Sequence, residues 1–148
     1  MRLKKQKGAA IVEFAVILPL FLVLVFGIIE FSLLFYDKAV ITNASREGAR
    51  AGIVAPSGDP AHRSTNAYIK GVVTNYCQNY LITFGTDTLT DSDITITPEG
   101  ESVRDAASFG DDLTVAVSFH YDFLLLPGFI GDLIGGTDMV ATTVMKME

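Results

Sequence analysis

Cysteine occurs once in 148 residues, tryptophan not at all and histidine only twice. A single thiol, Cys77, excludes an intrachain disulfide and a thiolate zinc cluster. His62 falls in a loop pattern and His120 on the polar side of an alternating run, which gives little support to a two-histidine metal pair or a Ser-His-Asp triad. No Gly-Lys-Ser/Thr phosphate loop and no dinucleotide fingerprint is present. Neither enzymatic chemistry, a catalytic residue, a metal nor a cofactor is expected. Positive charge is scarce too: Arg2, Lys4, Lys5 and Lys7 take four of the eleven cations, leaving seven against seventeen acids and a net −10 beyond Gly8. A body of that charge repels phosphates, so nucleic acid is not expected as a partner. Glycine, at 13 residues without a sustained period, is too sparse for a collagen or repeat architecture, and a 49% hydrophobic share excludes disorder.

That hydrophobic share is concentrated in one place. Residues 9–36 hold 23 hydrophobic residues in 28, interrupted only by Glu13, Pro19, Gly27, Glu30 and Ser32. A bilayer core of ~30 Å needs ~20 helical residues, so this run suffices to cross one, and the basic residues before it hold the N-terminus on the cytoplasmic side. A secretory signal peptide has an apolar region of only ~7–15 residues ending in a small-x-small cleavage site. Here the run continues through Phe31, Leu33, Leu34 and Phe35, so the segment reads as retained. Pro19 lies inside it, where a kink is expected. Glu30, near the far end, is expected to reach interfacial water. Glu13, near the cytoplasmic end, calls for a partner charge or solvation by head groups.

Met-Arg-Leu-Lys-Lys-Gln-Lys-Gly followed by Ala-Ala-Ile-Val-Glu-Phe resembles the type IV prepilin signature: a basic leader ending in Gly, four mainly apolar residues, then Glu and an aromatic. The resemblance implies cleavage of the Gly8–Ala9 bond by a membrane prepilin peptidase, with Gly8, Ala9, Glu13 and Phe14 forming the processing site. Glu13 then has a physical explanation: the new α-amine on Ala9 of one subunit can pair with the carboxylate of its neighbour.

Beyond Asp37 and Lys38 no helix breaker appears before Gly48, so a helix of residues 9–53, roughly 67 Å at ~1.5 Å per residue, is expected to continue as an extracytoplasmic stalk. Val40, Ala44, Gly48 and Ala51 make one narrow face. The stretch Asn43-Ala44-Ser45-Arg46-Glu47-Gly48-Ala49-Arg50-Ala51-Gly52 resembles the Asn-Ala-x-Arg-Glu-Gly-Ala-Arg segment of TadE-like proteins, minor pilins of the Flp, or tight-adherence, pilus system. Gly48 and Gly52 form a Gly-x-x-x-Gly pair that lets another backbone approach, and Arg46 and Arg50 share a side. Two readings stand for this helix surface: it packs against other subunits or assembly factors, or its small residues seat the stalk on its own sheet.

Residues 55–63, with Pro56, Gly58 and Pro60, read as a linker. Ser64 or Thr65 can cap a second helix with Ile69, Val72 or Val73, Tyr76 and Tyr80 on its apolar face, ending near Gly85. Cys77 is expected to be buried beside Tyr76 and Tyr80. The period then becomes two: Ile94 and Ile96 alternate with Thr95 and Thr97, residues 113–123 alternate throughout, and residues 139–146 form a third strand. Residues 124–136 read as an apolar lid over the core or a docking segment. Residues 86–112 carry eight of the seventeen acids; their spacing matches no calcium loop, so a solvated acidic loop is expected.

The expected architecture is α+β and pilin-like: a long N-terminal transmembrane and stalk helix packed on a small antiparallel sheet, with a second helix. Four parts follow: a leader at 1–8, a membrane span at 9–36, a stalk at 37–53 and an extracytoplasmic α+β domain at 54–148. The TadE resemblance implies a minor prepilin needed to assemble an Flp-type pilus. Its site residues for assembly are Glu13, Pro19, Arg46, Glu47, Gly48, Arg50 and Gly52. Its implied partners are other pilin subunits, the prepilin peptidase, the inner-membrane assembly platform and the lipid bilayer, with the C-terminal domain outside the cytoplasm and the subunit present in the bacterial inner membrane or the pilus. The alternatives are an uncleaved single-pass anchor displaying an acidic binding domain, and a type II secretion pseudopilin, which the Arg46–Arg50 pattern disfavours.

Overall fold

A continuous run of 50 residues forms one helix, α1 (Lys4–Ile53). The computed structural model describes residues 4–53, 64–83, 88–98, 110–123 and 135–147. Helix α1 begins five residues before the expected start at Ala9, because lysine and glutamine are good helix formers and Gly8 costs only about 1 kcal/mol. Pro19 sits inside α1 without ending it. A second helix, α2 (Asn66–Tyr80), is capped by Thr65, whose side chain accepts the Tyr68 N–H at 3.1 Å. Helix α2 stops well short of Gly85: Leu81 takes an extended conformation and its N–H donates to the Cys77 carbonyl at 2.8 Å.

The alternating segments form strands β1 (Ile94–Thr97), β2 (Asp112–Tyr121) and β3 (Thr137–Lys146). They make one antiparallel sheet in the order β1-β2-β3, with Ile96 opposite Val115 and Phe119 opposite Met139. Gly110, at φ +92°, donates its N–H to the Met147 carbonyl at 2.9 Å while the Met147 N–H donates to Asp111 at 2.8 Å. Two residues thus oppose one, a bulge whose first position needs the left-handed conformation that glycine adopts freely. β2 ends at Tyr121, so the strand expected to reach Phe123 is shorter. Strand β3 turns Met139 and Ala141 inward and Val140 and Val144 outward.

The chain divides into two compact units, Met1–Leu33 with Asp122–Gly136, and Leu34–Tyr121 with Thr137–Glu148. In the first, α1 exposes apolar side chains on every side, from Ile11 and Phe14 to Leu24 and Ile28. In the second, the core joins three surfaces: Val40, Ile41, Ala44 and Ala49 from α1, Ile69, Val73 and Cys77 from α2, and the inward residues of all three strands. Burying a side chain the size of Ile41 or Ile69 stabilises by about 1.5–3 kcal/mol. Polar ties fix α1 to its surroundings in this unit. Ser45 shares a 2.7 Å hydrogen bond with Thr143 on β3, and the Ser64 hydroxyl donates at 2.6 Å to the Ala51 carbonyl, one of the terminal acceptors a helix leaves unpaired. Lys38 donates through Nζ to the Val140 carbonyl, placing a cation on the outer edge of β3.

The linker at 55–63, including His62, lies outside the described residues. So do residues 124–134 of the apolar connection and most of the acidic stretch, where Asp91, Asp93, Asp111 and Asp112 are described.

Candidate functional site

Residues Gly8, Ala9, Glu13 and Phe14 follow one another on α1, and all four are exposed. Ala9 and Glu13 are four apart, hence on the same face of the helix. No neighbour lies within 4 Å of a Cβ built on Gly8. From residue 8 to residue 24 every α1 side chain is exposed, and α1 carries an 18-residue window with mean hydropathy 2.8, none of it buried. A helix apolar all round and covered by nothing has hydrocarbon as its natural surroundings. It fits a single-pass membrane anchor.

Glu30 corrects an expectation. Rather than reaching water it is fully buried. Asp37, the first charged residue after the apolar run, is also fully buried. Its Oδ1 accepts the Ile82 N–H at 3.0 Å, just beyond the end of α2, while Oδ2 has no hydrogen-bond partner. Burial pushes the Asp37 carboxyl above its usual value, opposed in part by the Ile82 hydrogen bond. Nothing in the sequence pattern separated this acid from a solvated one.

The segment from Asn43 to Gly52 is divided by its own helix geometry. Gly48 and Gly52 turn into the core, where a Cβ on Gly48 would stand 2.5 Å from Val73 Cγ2 and one on Gly52 would stand 2.8 Å from Ile69 Cδ1. Of the two readings, the glycines therefore seat α1 on its own α2 and β2, the latter through Val115 and Leu113. Ala51, expected on this face, is half-buried, and Ile41 and Ser45 replace it in the buried set. Arg46, Glu47 and Arg50 point the other way and are exposed.

On α2 the face also differs from the expected one. Ile69, Val73 and Cys77, spaced four apart, are buried. Tyr76 and Tyr80 meet in a tilted ring contact, with centroids 4.8 Å apart and planes at 45°, and Tyr80 and Tyr68 are more than half exposed. Cys77 is buried as expected, whereas Tyr76 is only half-buried and Tyr80 is exposed. Burial raises the Cys77 thiol to about 11. The outer side of α2, with Glu47 of α1, lines a groove containing Tyr68, Asn75, Tyr76, Asn79 and Tyr80.

Several of the other described polar groups pair locally. His120 Nδ1 and Asp138 Oδ1 lie 2.5 Å apart on the outer sheet face, Lys146 pairs with Asp112 at 2.6 Å, and Asp93 accepts from the Thr90 N–H at 2.8 Å. Among the described residues no group of three or more metal-ligating side chains comes together.

An apolar N-terminal helix that fits a membrane anchor, a three-stranded antiparallel sheet and a second helix make an α+β arrangement among the described residues. Residues 8–50 match the model of the TadE-like protein family, the family that the Asn43–Gly52 segment and the leader resemble. That match supports a pilus-associated role of the minor-pilin kind in the Tad system, interacting with other pilus components; TadE-like pilus proteins are structural rather than catalytic. Neither a curated protein nor a solved structure matches the chain.

Proposed function

We propose that the chain is a TadE-like minor prepilin that is inserted with its basic leader in the cytoplasm, cut between Gly8 and Ala9 by a prepilin peptidase, and assembled through α1. The observation that carries this reading is the coincidence of the family match over residues 8–50 with a helix whose apolar surface is bare from residue 8 to residue 24. Lipid covers that surface before assembly, and the helices of neighbouring subunits replace lipid afterwards. Cleavage leaves a cation on Ala9 beside the Glu13 carboxylate of an adjacent subunit, and the pair offsets what either charge costs alone in hydrocarbon. The motif then serves two ends. Gly48 and Gly52 hold the soluble body on α1, while Arg46, Glu47 and Arg50 remain available to subunits or to the assembly platform.

The reading is tested with Glu13→Ala in cells that make the pilus. Processing at Gly8 should persist while piliation falls. Wild-type piliation would remove the charge pair from the mechanism.

A further inference from the structure

Two features of the second unit are not used by its own fold. The first is the pair of guanidinium groups on Arg46 and Arg50, exposed one turn apart on α1. The other described cations beyond the apolar run have partners: Lys38 at the Val140 carbonyl, Lys70 at the Asp91 carbonyl at 2.7 Å, and Lys146 at Asp112. The second is the groove along α2, about 660 Å³, lined by Tyr68, Asn75, Tyr76, Asn79, Tyr80 and Glu47. Aromatic faces, amide oxygens and one carboxylate are the chemistry that receives a guanidinium, by stacking on the ring and by charge-assisted hydrogen bonding. Asn79 commits its N–H groups to Asn75, at 2.8 Å and 2.9 Å, which leaves its own amide oxygen as an acceptor.

The positions also fit. Glu47, on the rim of the groove, lies between Arg46 and Arg50 in the chain, so groove and guanidiniums stand at the same level of α1. They differ only by a rotation of roughly 60–100° about the helix axis. Copies anchored in one membrane through the same end of α1 stand parallel, which brings the arginine face of one level with the groove of the next. Lipid head groups are a poor match, since Arg46 and Arg50 lie roughly 15–21 Å along the helix beyond Tyr36, where the apolar run ends.

We propose that Arg46 and Arg50 of one copy dock in the Tyr68–Tyr76–Tyr80 groove of a second copy, with Glu47 at its rim pairing with a guanidinium. Because the two surfaces lie on different sides of the same chain, the contact is head-to-tail and extends a row instead of closing a dimer. The proposal rests on the membrane-anchored reading above.

The test uses full-length chains carrying two different epitope tags, reconstituted together in lipid vesicles, with co-purification of the tags as readout. Wild type should co-purify. Arg46→Ala/Arg50→Ala copies and Tyr68→Ala/Tyr80→Ala copies should each lose at least tenfold when paired with themselves, with far-UV circular dichroism unchanged. Mixing one variant with the other should restore co-purification, because that mixture keeps one intact groove and one intact arginine face. A monomeric wild type, a smaller loss in either variant, or a mixture that remains at the level of the single variants overturns the proposal. Vesicles contain neither peptidase nor pilus, so failure here leaves the pilus assignment standing, and an unprocessed N-terminus in cells leaves this contact standing.

Discussion

A Cβ on Gly48 of α1 would stand 2.5 Å from Cγ2 of Val73 on α2, closer than two carbons can approach. The glycine is thus the device that lets a second helix and a sheet close over α1, and the folded unit depends on it. Gly48→Ala should destabilise the folded body by about 1–3 kcal/mol, since a valine branch cannot swing aside as a long flexible side chain could. Gly71→Ala on α2 meets open space and should be neutral or stabilising by roughly 0.5–1 kcal/mol. Thermal melting of both variants in detergent, followed by circular dichroism, checks the contrast.

Asp37 supplies a pH dependence. Its folded-state pKa is raised above the ordinary 3.8, so the native state holds the proton more tightly than the unfolded chain does. Stability from this group is therefore greatest below about pH 3.8 and declines as the pH rises above it, levelling off once the folded carboxyl ionises. Asp37→Asn keeps an oxygen for the Ile82 N–H without carrying a charge, and should match the wild type in acid and exceed it increasingly at higher pH. Asp37→Ala loses the hydrogen bond and should cost about 1 kcal/mol. Denaturant midpoints measured from pH 3 to pH 7 give both outcomes.

Cys77 should be inert in the native protein. With its thiol buried and raised to about 11, the thiolate is scarce at neutral pH. Alkylation by N-ethylmaleimide should be slow until denaturant is added, then rapid. The same shift makes stability fall as the pH climbs from 9.0 toward about 11, because only the unfolded chain ionises readily there.

Arg46→Glu should leave the melting temperature nearly unchanged, by less than about 0.5 kcal/mol, because the side chain is exposed. Piliation in the same variant should fall. Gly48→Ala acts in the opposite order, on stability first, so the two variants separate the outward half of the motif from the inward half.

Much of this fold could be read in the residues. The bare helix follows from 23 hydrophobic residues in 28, a run that continues through Pro19, and the three strands follow from alternation, most clearly in β2. Three points could not be read the same way. A Gly-x-x-x-Gly pair announces a close approach but not which backbone approaches; only the positions of Val73, Ile69 and Leu113 decide it. The expected apolar face of α2 includes Tyr76 and Tyr80 beside the buried Cys77, whereas the structure buries Ile69, Val73 and Cys77 and leaves the tyrosines at least partly exposed. Glu30 reads as an acid that reaches interfacial water and nothing marks Asp37 as buried, since burial of a carboxylate is a tertiary property that local pattern does not encode.

The central claim is that the leader is removed and the apolar helix becomes the mature N-terminus. N-terminal sequencing of the protein extracted from membranes of pilus-forming cells tests it most directly. The predicted first residues are Ala9-Ala10-Ile11-Val12-Glu13, with Gly8→Leu abolishing the cut. A chain that begins at Met1 in cells containing the peptidase would contradict the claim.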